Sequence, residues 1–157
     1  MSIRREERLQ GVHPSLVSVV KRASEELFKN TEMQLLIIEG VRTQERQQQL
    51  FNQGRTTPGR IVTNSLKSKH LKQLDGFGHA VDIALCDSKG NVDWNDLTKF
   101  ELIRRAMVKA AKELKVPNLR SGADWDKNDI PDMKEVDAYM KRFRRRPLVD
   151  YPHYELV

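Results

Sequence analysis

The chain has 157 residues, 38% hydrophobic and 32% charged, a size and balance that suit one globular domain with its own core. No apolar run approaches the roughly 18–20 residues that a membrane span needs. A net charge of +6 favours an anionic partner such as nucleic acid, a membrane surface or a bacterial wall, while the single cysteine, Cys86, excludes an internal disulfide and a cysteine-rich zinc site.

The first segment, MSIRREERLQGVHPSL, has no apolar stretch of the kind a secretory signal carries. VHPSLVSVVKRASEELFKN then predicts a helix. Pro14 suits its first turn, and Leu16, Val19, Val20, Ala23 and Leu27 recur on one face. His13, just before it, reads as a capping or surface-packing residue. MQLLIIEGVRT is a short apolar run closed by Gly40, a buried strand. TQERQQQLFNQG is a polar-faced helix with Thr43 as N-cap and Gly54 as stop. RTTPGRIVTNSLKSK is rich in turn residues and reads as an exposed loop.

HAVDIALCDSKGNVDW predicts a strand, a turn at KGN and a second short strand. Cys86 falls at the end of the first of these as a buried structural thiol. LTKFELIRRAMVKAAKEL carries an apolar stripe of Phe100, Ile103, Met107, Ala110, Ala111 and Leu114, and Pro117 marks the exit. NLRSGADW predicts a third strand and turn, PDMKEVDAYMKRF another helix, and PHYELV a closing strand. The mixture lacks regular alternation, so the class is α+β. The basic run KRFRRR, Lys141 to Arg146, is either a solvated face or a contact for an anionic envelope polymer. No aromatic residues interleave it in a nucleic-acid motif, so no dedicated nucleic-acid binding is expected.

Chemistry concentrates in histidines and carboxylates. Catalytic zinc takes three protein ligands and keeps one position open. With His13 assigned to the helix entry, His70, His79 and His153 remain. Successive side chains of a strand alternate between faces, so in HAVDIAL Asp82 lies with Ala80 and Ala84, and His79 lies with Val81 and Ile83. His79 and Asp82 cannot both aim at one ion, whereas His70, outside the strand, is free to fold back. Parity therefore favours His70, Asp82 and His153. The small Ala80 and Ala84 leave room beside Asp82. Either Asp150, three residues before His153, or Glu155, on the same face as His153, could serve as the proton acceptor that hydrolysis requires.

These residues resemble a family, the phage endolysins that act as L-alanyl-D-glutamate peptidases, relatives of the VanY-like D-alanyl-D-alanine carboxypeptidases. The family pattern is Ser-x-His, a glycine, Ala-x-Asp, and a distant Asp-x-x-His. Here it reads SKH (Ser68 to His70), GHAVD (Gly78 to Asp82) and DYPH (Asp150 to His153). GVHPSLVSVVKRA, EGVRTQERQ, SGADW and HYELV match further segments in the same order, so the likeness spans nearly the whole chain. It implies one small zinc peptidase domain over residues 1–157, of the Hedgehog/D-Ala-D-Ala-peptidase type, with a central antiparallel sheet, flanking helices and no separate wall-binding domain. It implies Zn2+ held by His70, Asp82 and His153, with Asp150 as general base and Arg42 contacting substrate and stabilising the oxyanion. Ser68 would support the site by hydrogen bonding, and Asp124 and Trp125 would shape its wall. The implied substrate is the stem peptide of bacterial peptidoglycan. The enzyme would be a monomer that accumulates in the host cytoplasm and reaches the wall through a holin-made lesion. A carboxypeptidase of the same fold is the near alternative, and a non-catalytic basic wall- or nucleic-acid-binding protein the distant one.

One departure stands out. The family usually places two residues between the metal histidine and the glycine. Here the seven residues LKQLDGF (Leu71 to Phe77) separate His70 from Gly78. Either a loop is inserted after His70, which the Asp-Gly turn chemistry favours, or Asp75 has taken the ligand position.

Overall fold

The computed structural model describes residues 2–63, 65–129, 131–134, 141, 144 and 149–157. Five strands form one mixed sheet in the order β1-β2-β3-β5-β4. They are β1 (Ile3–Arg4), β2 (Gln34–Glu39), β3 (Ala80–Cys86), β4 (Leu119–Ser121) and β5 (His153–Leu156). Three helices accompany them, α1 (Pro14–Thr31), α2 (Gln44–Asn52) and α3 (Leu97–Glu113). The α+β class holds, but the sheet is not wholly antiparallel: β1 runs parallel to β2, while the β2–β3, β3–β5 and β4–β5 pairs are antiparallel. Two residues, Ile3 and Arg4, are too few to carry a periodicity, so β1 had no pattern from which to be predicted.

The helices form where capping and apolar spacing agree. His13 Nδ1 accepts the Ser15 N–H at 3.1 Å, with Pro14 in the first turn. Thr43 Oγ1 accepts the Arg46 N–H and Asp96 the Thr98 N–H, each satisfying a backbone donor that the helix itself cannot. Leu16, Val19, Val20, Ala23 and Leu27 of α1 are buried, as are Phe100, Ile103, Met107, Ala110 and Ala111 of α3. The two helices pack on each other and on one face of the sheet. There they meet Leu35, Ile37, Val81, Ile83, Tyr154 and Leu156. Each such side chain contributes roughly 1.5–3 kcal/mol when fully removed from water. Arg104 is also buried in α3, paired with Glu101 and Asp129.

The second strand expected after the KGN turn is absent. Asp87 Oδ1 takes the N–H groups of Lys89 and Asn91, and Asp93 takes that of Asn95. These side chains supply the partners a strand ladder would have used. The expected helix in PDMKEVDAYMKRF lies mostly outside the described residues, which show only a 3-10 turn at Asp132–Lys134. The basic run Lys141 to Arg146 lies outside them too, except for Lys141 and Arg144.

The core occupies one face of the sheet, so chemistry is left to the other. Asp82 on β3 lies opposite Glu39 on β2 and His153 on β5. Directly opposed residues put their side chains on the same face. A polar row, Glu39–Asp82–His153, therefore crosses the middle of the sheet.

Candidate metal centre and active site

His70 joins this row from the loop before β3. Ser68 Oγ accepts the His70 N–H at 3.1 Å, and the His70 carbonyl accepts the Arg42 N–H at 2.8 Å. The chain is thereby folded back onto the end of β2. His70 Nε2 comes within 3.2 Å of Asp82 Oδ1, and His153 Nδ1 within 3.1 Å of the same oxygen. The two rings stand edge to face, 5.2 Å apart. His70, Asp82 and His153 form a group able to hold a metal ion. The His70 side chain is 3% exposed, while Asp82 keeps 20%, so the group is open on the carboxylate side.

The outer nitrogens decide what these rings offer. His70 Nδ1 lies 2.8 Å from the Gly40 carbonyl, which can only accept, so Nδ1 carries a proton and Nε2 is the nitrogen turned to Asp82. His153 Nε2 lies 2.8 Å from Glu155 Oε1, an arrangement that places a proton outward and leaves Nδ1 facing Asp82. An imidazole held by an acceptor on one nitrogen and aimed inward with the other is the usual preparation of a metal ligand. Burial opposes charge on Asp82, but hydrogen bonds from His153 and His70 overcome it and hold the carboxyl well below its ordinary range. Burial likewise opposes charge on His153, yet Asp82 and Glu155 together raise it to about 9.

Comparison with known proteins places the chain in a family. The pattern that defines the phage L-alanyl-D-glutamate peptidases matches residues 1–157. The chain belongs to this family. It is 34% identical over 121 residues to the L-alanyl-D-glutamate peptidase of Escherichia phage T5, covering 77% of each chain. It is 29% identical over 134 residues to the peptidoglycan L-alanyl-D-glutamate endopeptidase CwlK of Bacillus subtilis (strain 168), covering 82% of this chain and 64% of that one. Its fold matches the crystal structure of the L-Ala D-Glu endopeptidase ChiX of Serratia marcescens at a TM-score of 0.66 and 27% identity. That match covers 98% of this chain and 86% of the other.

Around the group, this family member places the other expected residues at different distances from the chemistry. Asp150 is held at the site by its N–H to the Gly122 carbonyl (2.8 Å), while Gly122 N–H reaches the His153 carbonyl (2.7 Å). A Cβ on Gly122 would stand 2.2 Å from the Asp150 carbonyl oxygen, so the SGADW turn needs glycine there. Asp150 as a whole residue is exposed, but burial by the surrounding protein still acts on its carboxyl. That burial, with the Asp82 charge, raises its pKa, against the pull of His153, His70 and Arg42. Arg42 is clamped by Glu39 through Nε (2.9 Å) and Nη2 (2.6 Å), and by Gln47 through Nη1 (2.8 Å). Two of its five N–H groups stay uncommitted to these partners.

Trp125 lies against His153, ring centroids 5.8 Å apart. Asp124 is turned inward and accepts the N–H groups of Asn128 and Asp129; burial and Asp126 push it up to about 6. It closes the turn that follows Trp125. Glu155 is buried between His153 and Arg120 (2.9 Å). Neither Asp75 nor His79 belongs to the buried group. They pair with each other at 2.7 Å.

Sequence reading did not single out Glu39, Gln47, Gly40 or Arg120. Glu39 had a signal in its i,i+3 spacing to Arg42. The Gly40 carbonyl and Arg120 had none, because only the sheet register and the loop path bring them to the histidines.

Proposed function

We propose that the chain hydrolyses the L-alanyl-D-glutamate bond of peptidoglycan stem peptides with one zinc ion held by His70, Asp82 and His153. The observation that carries this reading is the inward aim of His70 Nε2 and His153 Nδ1 at one oxygen of Asp82, each ring pinned from behind. Two imidazoles and a carboxylate with an open side are a catalytic zinc donor set. Zinc held there supplies a Lewis acid that polarises the scissile carbonyl and lowers the pKa of a water toward about 7.

The protein's own residues do the remainder. Asp150 takes a proton from the attacking water and returns it to the leaving nitrogen. Its raised pKa suits a group that must both accept and release that proton. Arg42, fixed by Glu39 and Gln47, presents its remaining N–H groups to charge developing on the carbonyl oxygen, at no cost of reorganisation. Glu155 holds the His153 ring in one tautomer, and Ser68 fixes the turn that delivers His70. The net positive charge draws the enzyme to the anionic wall.

Incubating the purified chain with peptidoglycan, and reading the products by mass spectrometry alongside zinc content, tests this. Cleavage after L-alanine with one zinc in the buried group is expected. Release of terminal D-alanine would replace the endopeptidase reading with the carboxypeptidase one, and absence of both zinc and cleavage would remove the enzymatic reading.

A further inference from the structure

A second His–Asp–His group has no part in this hydrolysis. His13, Asp75 and His79 each bring one ligand atom within 4.8 Å of the others. They come from three places: the cap of α1, the loop Leu71–Phe77 and the residue before β3. His79 Nε2 lies 2.7 Å from Asp75 Oδ2, and His13 Nε2 lies 3.8 Å from that same oxygen. The two rings meet edge to face, 5.2 Å apart at 81°, and Phe77 packs against His13 at 5.6 Å.

The backbone fixes this meeting. The His13 N–H donates to the Gly78 carbonyl (2.9 Å), the Gly78 N–H to the Gly11 carbonyl (2.9 Å) and the His79 N–H to the Lys69 carbonyl (2.7 Å). Asp75 Oδ1 accepts the Phe77 N–H at 3.0 Å, which leaves Oδ2 as the oxygen presented to the rings. Gly76 turns the loop at φ +84 with open space around it, so Asp75 has room to close by the last ångström. The side chains of His13, Asp75 and His79 are 29%, 41% and 21% exposed, within reach of an ion from solvent.

We propose that His13, Asp75 and His79 form a second, surface metal site for a borderline divalent transition cation of the Zn2+, Co2+ or Ni2+ class. Two imidazole nitrogens and one carboxylate suit such ions. Calcium and magnesium, which gather oxygen ligands, are disfavoured by the same set. The bound ion fastens the loop between His70 and Asp82 to the start of α1. Loading has a cost that the buried group does not bear. His13 Nδ1 accepts the Ser15 N–H, so in the metal-free protein the His13 proton sits on Nε2. Coordination through Nε2 shifts that proton to Nδ1 and gives up the cap bond, because a neutral imidazole has one free lone pair. The surface site is therefore the weaker of the two.

Direct metal analysis and calorimetric titration of the full metal-free chain with ZnCl2 test this, beside Asp75→Asn and His79→Ala. Wild type should bind one zinc ion more per chain than either variant. Wall lysis of both variants at saturating zinc should stay within about twofold of wild type. Asp75→Asn is a conservative change on an exposed loop, so its fold is safe even if His79→Ala is not. Equal zinc stoichiometry in wild type and Asp75→Asn overturns the proposal. The comparison is a difference between chains, so it holds whether or not the buried group takes zinc.

Discussion

Two groups of the same composition sit on either side of one loop. His70, Asp82 and His153 are packed into the sheet, and His13, Asp75 and His79 stand at its margin. What separates them is the second nitrogen of each ring. His70 and His153 turn it to fixed acceptors, Gly40 and Glu155, and so aim the other nitrogen inward at Asp82. His13 turns its second nitrogen to a donor, the Ser15 N–H, and so presents a proton. Proximity of ligand atoms is common to both groups. Preorganisation of the ring orientation belongs to one, and the catalytic reading rests on it.

The largest test of this contrast is removal of a buried ligand. His70→Ala should abolish zinc uptake by the buried group and lower wall lysis by about 10³-fold or more, the scale of losing a Lewis acid worth several kcal/mol. Retained lysis would show that the ion, or this histidine, is dispensable. Asp150→Asn separates ligand from base. It should lower lysis by roughly 10²–10⁴-fold with zinc uptake unchanged, because Asp150 is not among the three proposed ligands. Loss of zinc in this variant would move Asp150 into the metal group and leave the base unassigned.

Much of this was legible in the sequence, for identifiable reasons. The alternation of HAVDIAL put Asp82 and His79 on opposite faces, and helical spacing marked the buried stripes of α1 and α3. Both are short-range periodicities. The Glu39–Asp82–His153 row was not legible, because it depends on the register of three strands far apart in sequence. The same holds for Arg120 reaching Glu155 from the far edge. The role of Glu155 shows the limit clearly. Parity placed it on the face of His153, which left it a candidate base. Only the fold shows it buried behind the ring at 2.8 Å, where it can orient His153 but not meet a water at the open side. The pairing of Asp75 with His79 and His13 needed the path of an irregular loop, which carries no periodic signal at all.

That position of Glu155 makes a third, smaller test. Glu155→Gln keeps the shape but removes the charge that polarises His153 and anchors Arg120. Zinc affinity of the buried group should fall about 10–100-fold, the usual effect of losing a partner behind a metal-bound histidine. Equilibrium dialysis against a zinc buffer measures it, and lysis at saturating zinc should recover much of its wild-type level. If lysis fails to recover with zinc, Glu155 acts in the chemistry and not through the ring.

A buried ion cluster with no catalytic part sets the baseline for both groups. Arg104 of α3 is paired through Nε and Nη2 with Glu101 (2.8 and 2.6 Å) and through Nη1 with Asp129 (2.7 Å). Burial works against ionised Glu101, but the hydrogen bonds and charge of Arg104 outweigh it and lower its pKa below the ordinary value. Glu101→Gln leaves a buried guanidinium short of one charge and should cost about 1–3 kcal/mol at neutral pH. That is a fall of roughly 2–4 °C in Tm per kcal/mol for a domain of this size. The sign with pH follows from the depressed pKa. Wild type holds the extra stability above pH 4.5 and loses it as pH falls through the lower folded value. The gap in Tm between wild type and variant should therefore be full at pH 7 and close in acid, while zinc uptake and lysis stay at wild-type levels. A gap that persists unchanged into acid would mean that packing, not the charge on Glu101, holds Arg104 in place. A loss of zinc would mean that α3 couples to the buried group through the sheet, and the line between structural and catalytic ion clusters would have to be redrawn.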